Sequence, residues 1–190
     1  MIRRRTRIFV GCEGESERGY AALLQKFANE RDLAVHIEAK VLARAGDPLA
    51  LAKKAAVLIE QGSRKPKSRY AYRFLIFDTD RLGLNPKRDS KFRSEAKRVE
   101  LVLIRQNRCF ESFLLRHFNG HENDHPSSSS DALNRLRQVW PEYKKGCSAL
   151  ELSRHFQLSH VQRASVNPLN ADYAKLLESL GIRVPKGTVI

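Results

Sequence analysis

Apolar and polar positions follow two rhythms along the first 118 residues. Ile8-Phe9-Val10, within 7–12, and Phe74-Leu75-Ile76-Phe77, within 72–77, are unbroken apolar runs. Such runs suit strands covered on both faces, as in a parallel sheet. Residues 34–42 alternate (Val35, Ile37, then Val41) and predict a strand at a sheet edge; 100–104 predict a fourth. Between them the spacing turns helical: Tyr20, Leu23, Leu24 and Phe27 in 17–31, and Phe92, Ala96 and Val99 after a loop of Gly83, Asn85 and Pro86. Asp47-Pro48 starts another helix, an N-cap acceptor followed by a first-turn proline, that runs to Gln61-Gly62. Residues 109–118 are so rich in Phe and Leu that their helix must pack against something. The alternation predicts an α/β fold: a mostly parallel four-stranded sheet with helices on both faces and right-handed crossovers.

The pattern changes after residue 120. Residues 121–130 are polar and end in four serines, as a mobile loop or linker would. Beyond it, three short helices are predicted. One starts at Asp131, one at Ser148, where Ser148-Ala149-Leu150-Glu151 fits a capping box, and one spans 170–180 and stops at Gly181. The organisation read from the chain is a core over 1–120, the polar loop 121–130, and a small helical C-terminal extension over 131–190 packed on that core.

Charge adds a partner class. Thirty-five Lys and Arg face twenty-one Asp and Glu, a formal +14, so the surface should attract polyanions in a salt-dependent way. The excess is spread over 3–7, over Arg64, Lys65, Lys67, Arg69 and Arg73, and over Arg81, Lys87, Arg88, Lys91, Arg93, Lys97 and Arg98. A surface that only keeps the chain soluble is the plainer alternative. No stretch approaches the ~18 apolar residues of a membrane span. The apolar run behind the basic N-terminus is too short for a signal peptide. Three widely spaced cysteines suggest no disulfide framework, and a cytoplasmic setting is expected.

Against this basic background, acids gather where apolar runs end. Glu13 follows the first predicted strand, and Asp78 and Asp80 follow the third. In open α/β sheets, ligands sit at the carboxyl ends of strands. If the strand persists, Asp78 and Asp80 point to one face and Thr79 points away. Gathered carboxylates repel one another unless a cation neutralises them, and oxygen-only ligands favour Mg²⁺ or Mn²⁺. Glu13, Asp78 and Asp80 are therefore the candidate metal ligands, for phosphodiester chemistry. A turn or helix-cap cluster is the alternative for Asp-x-Asp alone. Glu111 is an auxiliary acid or a first-turn Glu favoured by its helix dipole; Glu17 is a supporting acid. Arg81 is placed to contact a phosphate, with Lys87, Arg88 and Lys91 beyond it. Cys12 and Cys109 flank the expected pocket as small buried hydrophobes. His117, His121 and His125 are spaced by four, but Asn119-Gly120 and Pro126 argue against one helix presenting them as metal ligands. Neither a P-loop nor a G-x-G-x-x-G fingerprint is present.

Glu13-Gly14-Glu15-Ser16-Glu17 with Tyr20, Phe77-Asp78-Thr79-Asp80, and Asn107-Arg108-Cys109-Phe110-Glu111 with Leu114, Leu115, His117 and Phe118 resemble, over about 7–118, the RloB-like family. That family is placed in the wider TOPRIM superfamily of topoisomerases, primases and OLD-type nucleases. Arg108 stands where the family usually has Pro, and Phe113 where it often has Trp. The resemblance implies a TOPRIM-like fold, a divalent metal on Glu13, Asp78 and Asp80, and a place beside the site for Glu111 and Asn107. It also implies a nuclease of restriction or phage-defence loci, often beside a partner ATPase. The chain is too short for the separate cleavage domain of a topoisomerase or the accessory domains of a primase.

Three functional readings follow. One is Mg²⁺-dependent hydrolysis of DNA or RNA, with Glu13, Asp78, Asp80 and Glu111 as catalytic groups. The second is a non-catalytic nucleic-acid-binding subunit serving a partner ATPase; the third is toxin-like cleavage of a specific RNA. The C-terminal helices could cover the sheet, form a homodimer interface or dock a partner.

Overall fold

The computed structural model describes residues 4–42, 47–65 and 68–185, the side chain of Leu169 excepted. Arg3 and Lys67 of the expected basic surface lie outside them. Strands β1 (Thr6–Cys12), β2 (Val35–Val41), β3 (Tyr72–Asp78) and β4 (Val102–Gln106) form one sheet in the order β2-β1-β3-β4. Every pairing is parallel, and β2 is at an edge as its alternation predicts. Helices α1 (Glu15–Glu30), α2 (Pro48–Gly62) and α3 (Pro86–Arg98) link the strands.

The two-sided burial that makes β1 and β3 continuous apolar runs is visible in the packing. Ile8, Val10, Phe74 and Ile76 lie against α1 and α4 (Phe110–Leu115), whereas Phe9, Leu75 and Phe77 lie against α2 and α3. The first cluster continues without a break into the C-terminal half: α5 (Ser129–Val139), α6 (Ala149–His155), α7 (Leu158–Ala164), a 3-10 turn at Pro168–Asn170, and α8 (Ala171–Ser179). At its centre Tyr20 meets His117 Nε2 at 2.6 Å and the Tyr173 hydroxyl at 2.5 Å, while His117 Nδ1 meets Phe113 O at 3.0 Å. This buried network joins α1, the segment after α4, and α8.

Several boundaries differ from the sequence reading, each for a local reason. Glu100 is left-handed (φ 52). With Glu100 N–H on Lys97 O and Leu101 N–H on Ala96 O it closes α3 in a Schellman motif, which moves β4 two residues on. Asp47 holds the N-cap position of α2, but its carboxylate pairs with Arg88 and makes no side-chain cap bond. After Leu115 the chain tightens into i→i+3 bonds, His117 to Leu114 and Phe118 to Leu115, so α4 is shorter than 109–118. Among the described residues, four C-terminal α-helices replace the expected three. Helix α7 has only Val161 and Ala164 buried, too few apolar positions to show a period.

Segment 121–130 uses its polar groups in hydrogen bonds, within itself, to α5 and to Asn167. His121 Nδ1 meets Asp124 Oδ2 at 2.9 Å, Ser128 caps α5, and Glu122 O accepts from Asn167 at 2.6 Å. Among the described residues, no helix is long and apolar enough to cross a membrane.

Candidate active site

The carboxyl ends of β1, β3 and β4 meet at one edge of the sheet. Leaving β1, Glu13 donates its N–H to Ile76 O at 3.2 Å. Its Oε2 accepts the Asp78 N–H at 2.9 Å, so the acid after one strand is fastened to the end of another. Burial raises the Glu13 carboxyl; Asp78 N–H and Arg81 oppose the rise, and Asp80 adds to it.

Asp78 closes β3 on the face shared by Phe74 and Ile76. Its Oδ1 is buried and has no hydrogen-bond partner. Burial, then Glu13, Glu17, Glu111 and Asp80, push its carboxyl up to about 9. Gln106, opposite Asp78 in the β3–β4 register, is fully buried, and both its amide atoms are also unpartnered.

Glu17, on the first turn of α1, is 5% exposed. Its Oε2 accepts the Gly14 N–H at 3.0 Å. Burial outweighs the backbone donors and, with Glu13 and Glu111, holds it at about 7. Gly14 itself is extended (φ −141), a conformation open to any residue. What it contributes is room, since a Cβ there would lie 3.3 Å from Glu17 Oε2.

Asp80 departs from the expected geometry. The strand ends at Asp78 because Thr79 turns to β4: its N–H and its hydroxyl both donate to Gln106 O, at 3.2 and 3.1 Å. Leu82 N–H then closes on Thr79 O. The same-face alternation of Asp78 and Asp80 therefore does not hold. Asp80 is exposed, yet its charge acts on both Glu13 and Asp78. Arg108 N–H donates to Thr79 Oγ1 at 3.0 Å, with Arg108 at φ 67. A proline could provide neither that donor nor that dihedral, so the β4–α4 turn of this chain excludes proline at 108. Asn107 contributes its carbonyl to the Ser112 hydroxyl.

Glu111, in the first turn of α4, is 3% exposed. Its Oε1 accepts from the Tyr143 hydroxyl at 3.2 Å and meets Lys145 Nζ at 3.3 Å. Partial burial lowers the Lys145 ammonium, but Glu111, then Cys109 and Asp78, outweigh it and hold it above the ordinary lysine value. The sequence reading missed Tyr143, Lys145 and Gln106. The signal available for the first two was Gly19 inside α1, where a Cβ would come 2.0 Å from Cys147 O. That glycine marks the spot where another segment crosses the helix.

Arg81, Lys87, Arg88 and Lys91 are exposed along the turn after β3 and the first half of α3, with Arg88 paired to Asp47. Cys12 and Cys109 flank the pocket as buried thiols, raised by desolvation, Cys109 to about 11. His117 belongs to the tyrosine network, and burial pushes it down to about 3.

Among the described residues, no three His, Cys, Asp or Glu side chains already converge as a metal cage. The donor chemistry nonetheless fits a hard divalent cation: carboxylate oxygens alone, a buried unpaired Asp78 Oδ1, and mutual repulsion that a cation would relieve. Glu13, Asp78 and Asp80 could hold one.

A model of the RloB-like protein family matches residues 8–176. That span takes in the carboxylates, the β4–α4 turn and nearly all the C-terminal helices. No curated protein and no solved structure matches the chain. With most of its length covered, the chain belongs to the RloB-like family.

Proposed function

We propose that the protein is a Mg²⁺- or Mn²⁺-dependent nuclease that hydrolyses phosphodiester bonds of DNA or RNA in prokaryotic phage defence. The Asp78 carboxyl carries the reading: half-buried, with Oδ1 enclosed and unpartnered, and surrounded by the charges of Glu13, Glu17, Glu111 and Asp80. Such a group is costly unless something occupies it. When bound, a divalent cation supplies polarisation of a phosphoryl oxygen and an acidified water.

The chain's own residues prepare that site. Glu13 and Asp78 are held together by the Asp78 N–H. Asp80 adds charge from the solvent side, and Arg81 stands by as a phosphate donor on the turn that follows. The TOPRIM-like reading is supported by strand order and by acids at the ends of β1 and β3, and the phage-defence setting by the family alone.

One observation favours the second reading, a cytoplasmic, non-catalytic nucleic-acid-binding subunit serving a partner ATPase: the formal charge of +14 attracts a polyanion whether or not the acids hold a metal. A cleavage assay on single- and double-stranded DNA and on tRNA, with Mg²⁺, Mn²⁺ or EDTA, separates the two. The nuclease reading predicts metal-dependent cutting that falls at least about 100-fold in Glu13→Gln and Asp78→Asn, the scale of lost electrostatic stabilisation, while binding persists. Wild-type binding without cutting would leave the partner-dependent subunit.

A further inference from the structure

The segment between α5 and α6 is built into the acidic site. Trp140, Tyr143 and Cys147 bury their side chains, and Trp140 packs on Tyr143 with ring centroids 5.1 Å apart. Gly146, left-handed at φ 82, donates its N–H to Ser16 Oγ at 2.8 Å. Cys147 O lies so close to α1 that only glycine fits at position 19. These contacts set a strap across the first turns of α1 and aim Tyr143 and Lys145 at Glu111.

The two residues differ in exposure. Tyr143 is buried, whereas the Lys145 side chain is 70% exposed and the Glu111 side chain it meets is 4% exposed. A lysine has three donors on a flexible stem; at Glu111 it has an anchor within the pocket while most of its surface stays open to solvent. We propose that Lys145 is a substrate ligand of this site, a cation delivered by the C-terminal half that binds a backbone phosphate of nucleic acid beside Glu13 and Asp78. This rests on the reading of the site as one that takes a phosphodiester.

The test is the binding of fluorescein-labelled 20-nucleotide single-stranded DNA and RNA by the full chain in EDTA, followed by anisotropy over a salt series. Lys145→Met, Lys145→Arg and, as a charge-matched control on exposed α2, Lys54→Met are compared with wild type. Lys145→Met should bind about ten-fold more weakly and lower the slope of log K against log salt by about one. Lys145→Arg should stay near wild type and Lys54→Met should change less than two-fold; Lys145→Met, which takes the ammonium from buried Glu111, should melt somewhat lower yet remain folded at the assay temperature, as its circular dichroism will show. Wild-type binding that Lys145→Met retains as fully as Lys54→Met does would overturn the assignment and leave Lys145 a counter-ion of Glu111. Failure of the wild type to bind either polymer would sink the underlying nucleic-acid reading, and Lys145's role with it.

Discussion

At the residue scale, two acids of the pocket, Asp78 and Glu17, keep protons that the unfolded chain gives up. Asp78 at about 9 and Glu17 at about 7 bind protons in the folded protein that an unfolded carboxyl has released by pH 5. Folding therefore takes up protons between those limits, and stability falls as pH rises through them. His117 acts in the opposite sense: at about 3 when folded, it costs stability only as pH drops below about 6.5. Between pH 7 and 9, Asp78 dominates among these groups. In chelator the melting temperature should fall across that window, and Asp78→Asn or saturating Mn²⁺ should remove the fall between pH 7 and 8, leaving above it the smaller fall that the buried thiols of Cys12 and Cys109 contribute. A wild-type profile already flat from pH 7 to 8 would show that Asp78 is not the raised group. The candidacy of Asp78 was legible in the sequence, as an acid ending an apolar run. Its unpaired oxygen was not, because that depends on Gln106 and Glu111 arriving from elsewhere in the chain.

At the scale of elements, the strands were legible because a parallel sheet covered on both faces leaves runs such as Ile8-Phe9-Val10 with no polar interruption. Helix ends were less so. Asp32 and Glu100 close α1 and α3 in the left-handed conformation usually given to glycine, so neither announces a stop as Gly181 does. The strap of residues 140–148 was illegible for another reason: its fit is recorded on a different element, at Gly19. A mid-helix glycine costs about 1 kcal/mol relative to alanine, and here the close approach of Cys147 O accounts for it. Gly19→Ala should therefore destabilise the fold by about 1–3 kcal/mol, as overpacking does, rather than stabilise it as helix propensity alone predicts. Urea unfolding decides the sign, and a more stable variant would mean that the strap does not lie against α1.

At the scale of the whole molecule, a chain with formal charge +14 keeps five acids, Glu13, Glu17, Asp78, Asp80 and Glu111, around one edge of its sheet. The basic surface can gather a polyanion from a distance, but it cannot neutralise a pocket in which burial and mutual repulsion raise Asp78. The C-terminal half is part of this arrangement, tied to the core through Tyr20, His117 and Tyr173 and to the site through Tyr143 and Lys145. The central claim is that this pocket takes a divalent cation, and calorimetric titration of Mn²⁺ into the metal-free chain tests it most directly. Because Asp78 must lose its proton to act as a ligand, binding at pH 7 should release protons, seen as a heat that changes with the ionisation enthalpy of the buffer. The affinity should rise with pH toward 9, and Asp78→Asn should weaken it at least ten-fold. No saturable binding at pH 7 or 8.5, or binding that Asp78→Asn and Glu13→Gln leave unchanged, would contradict the account.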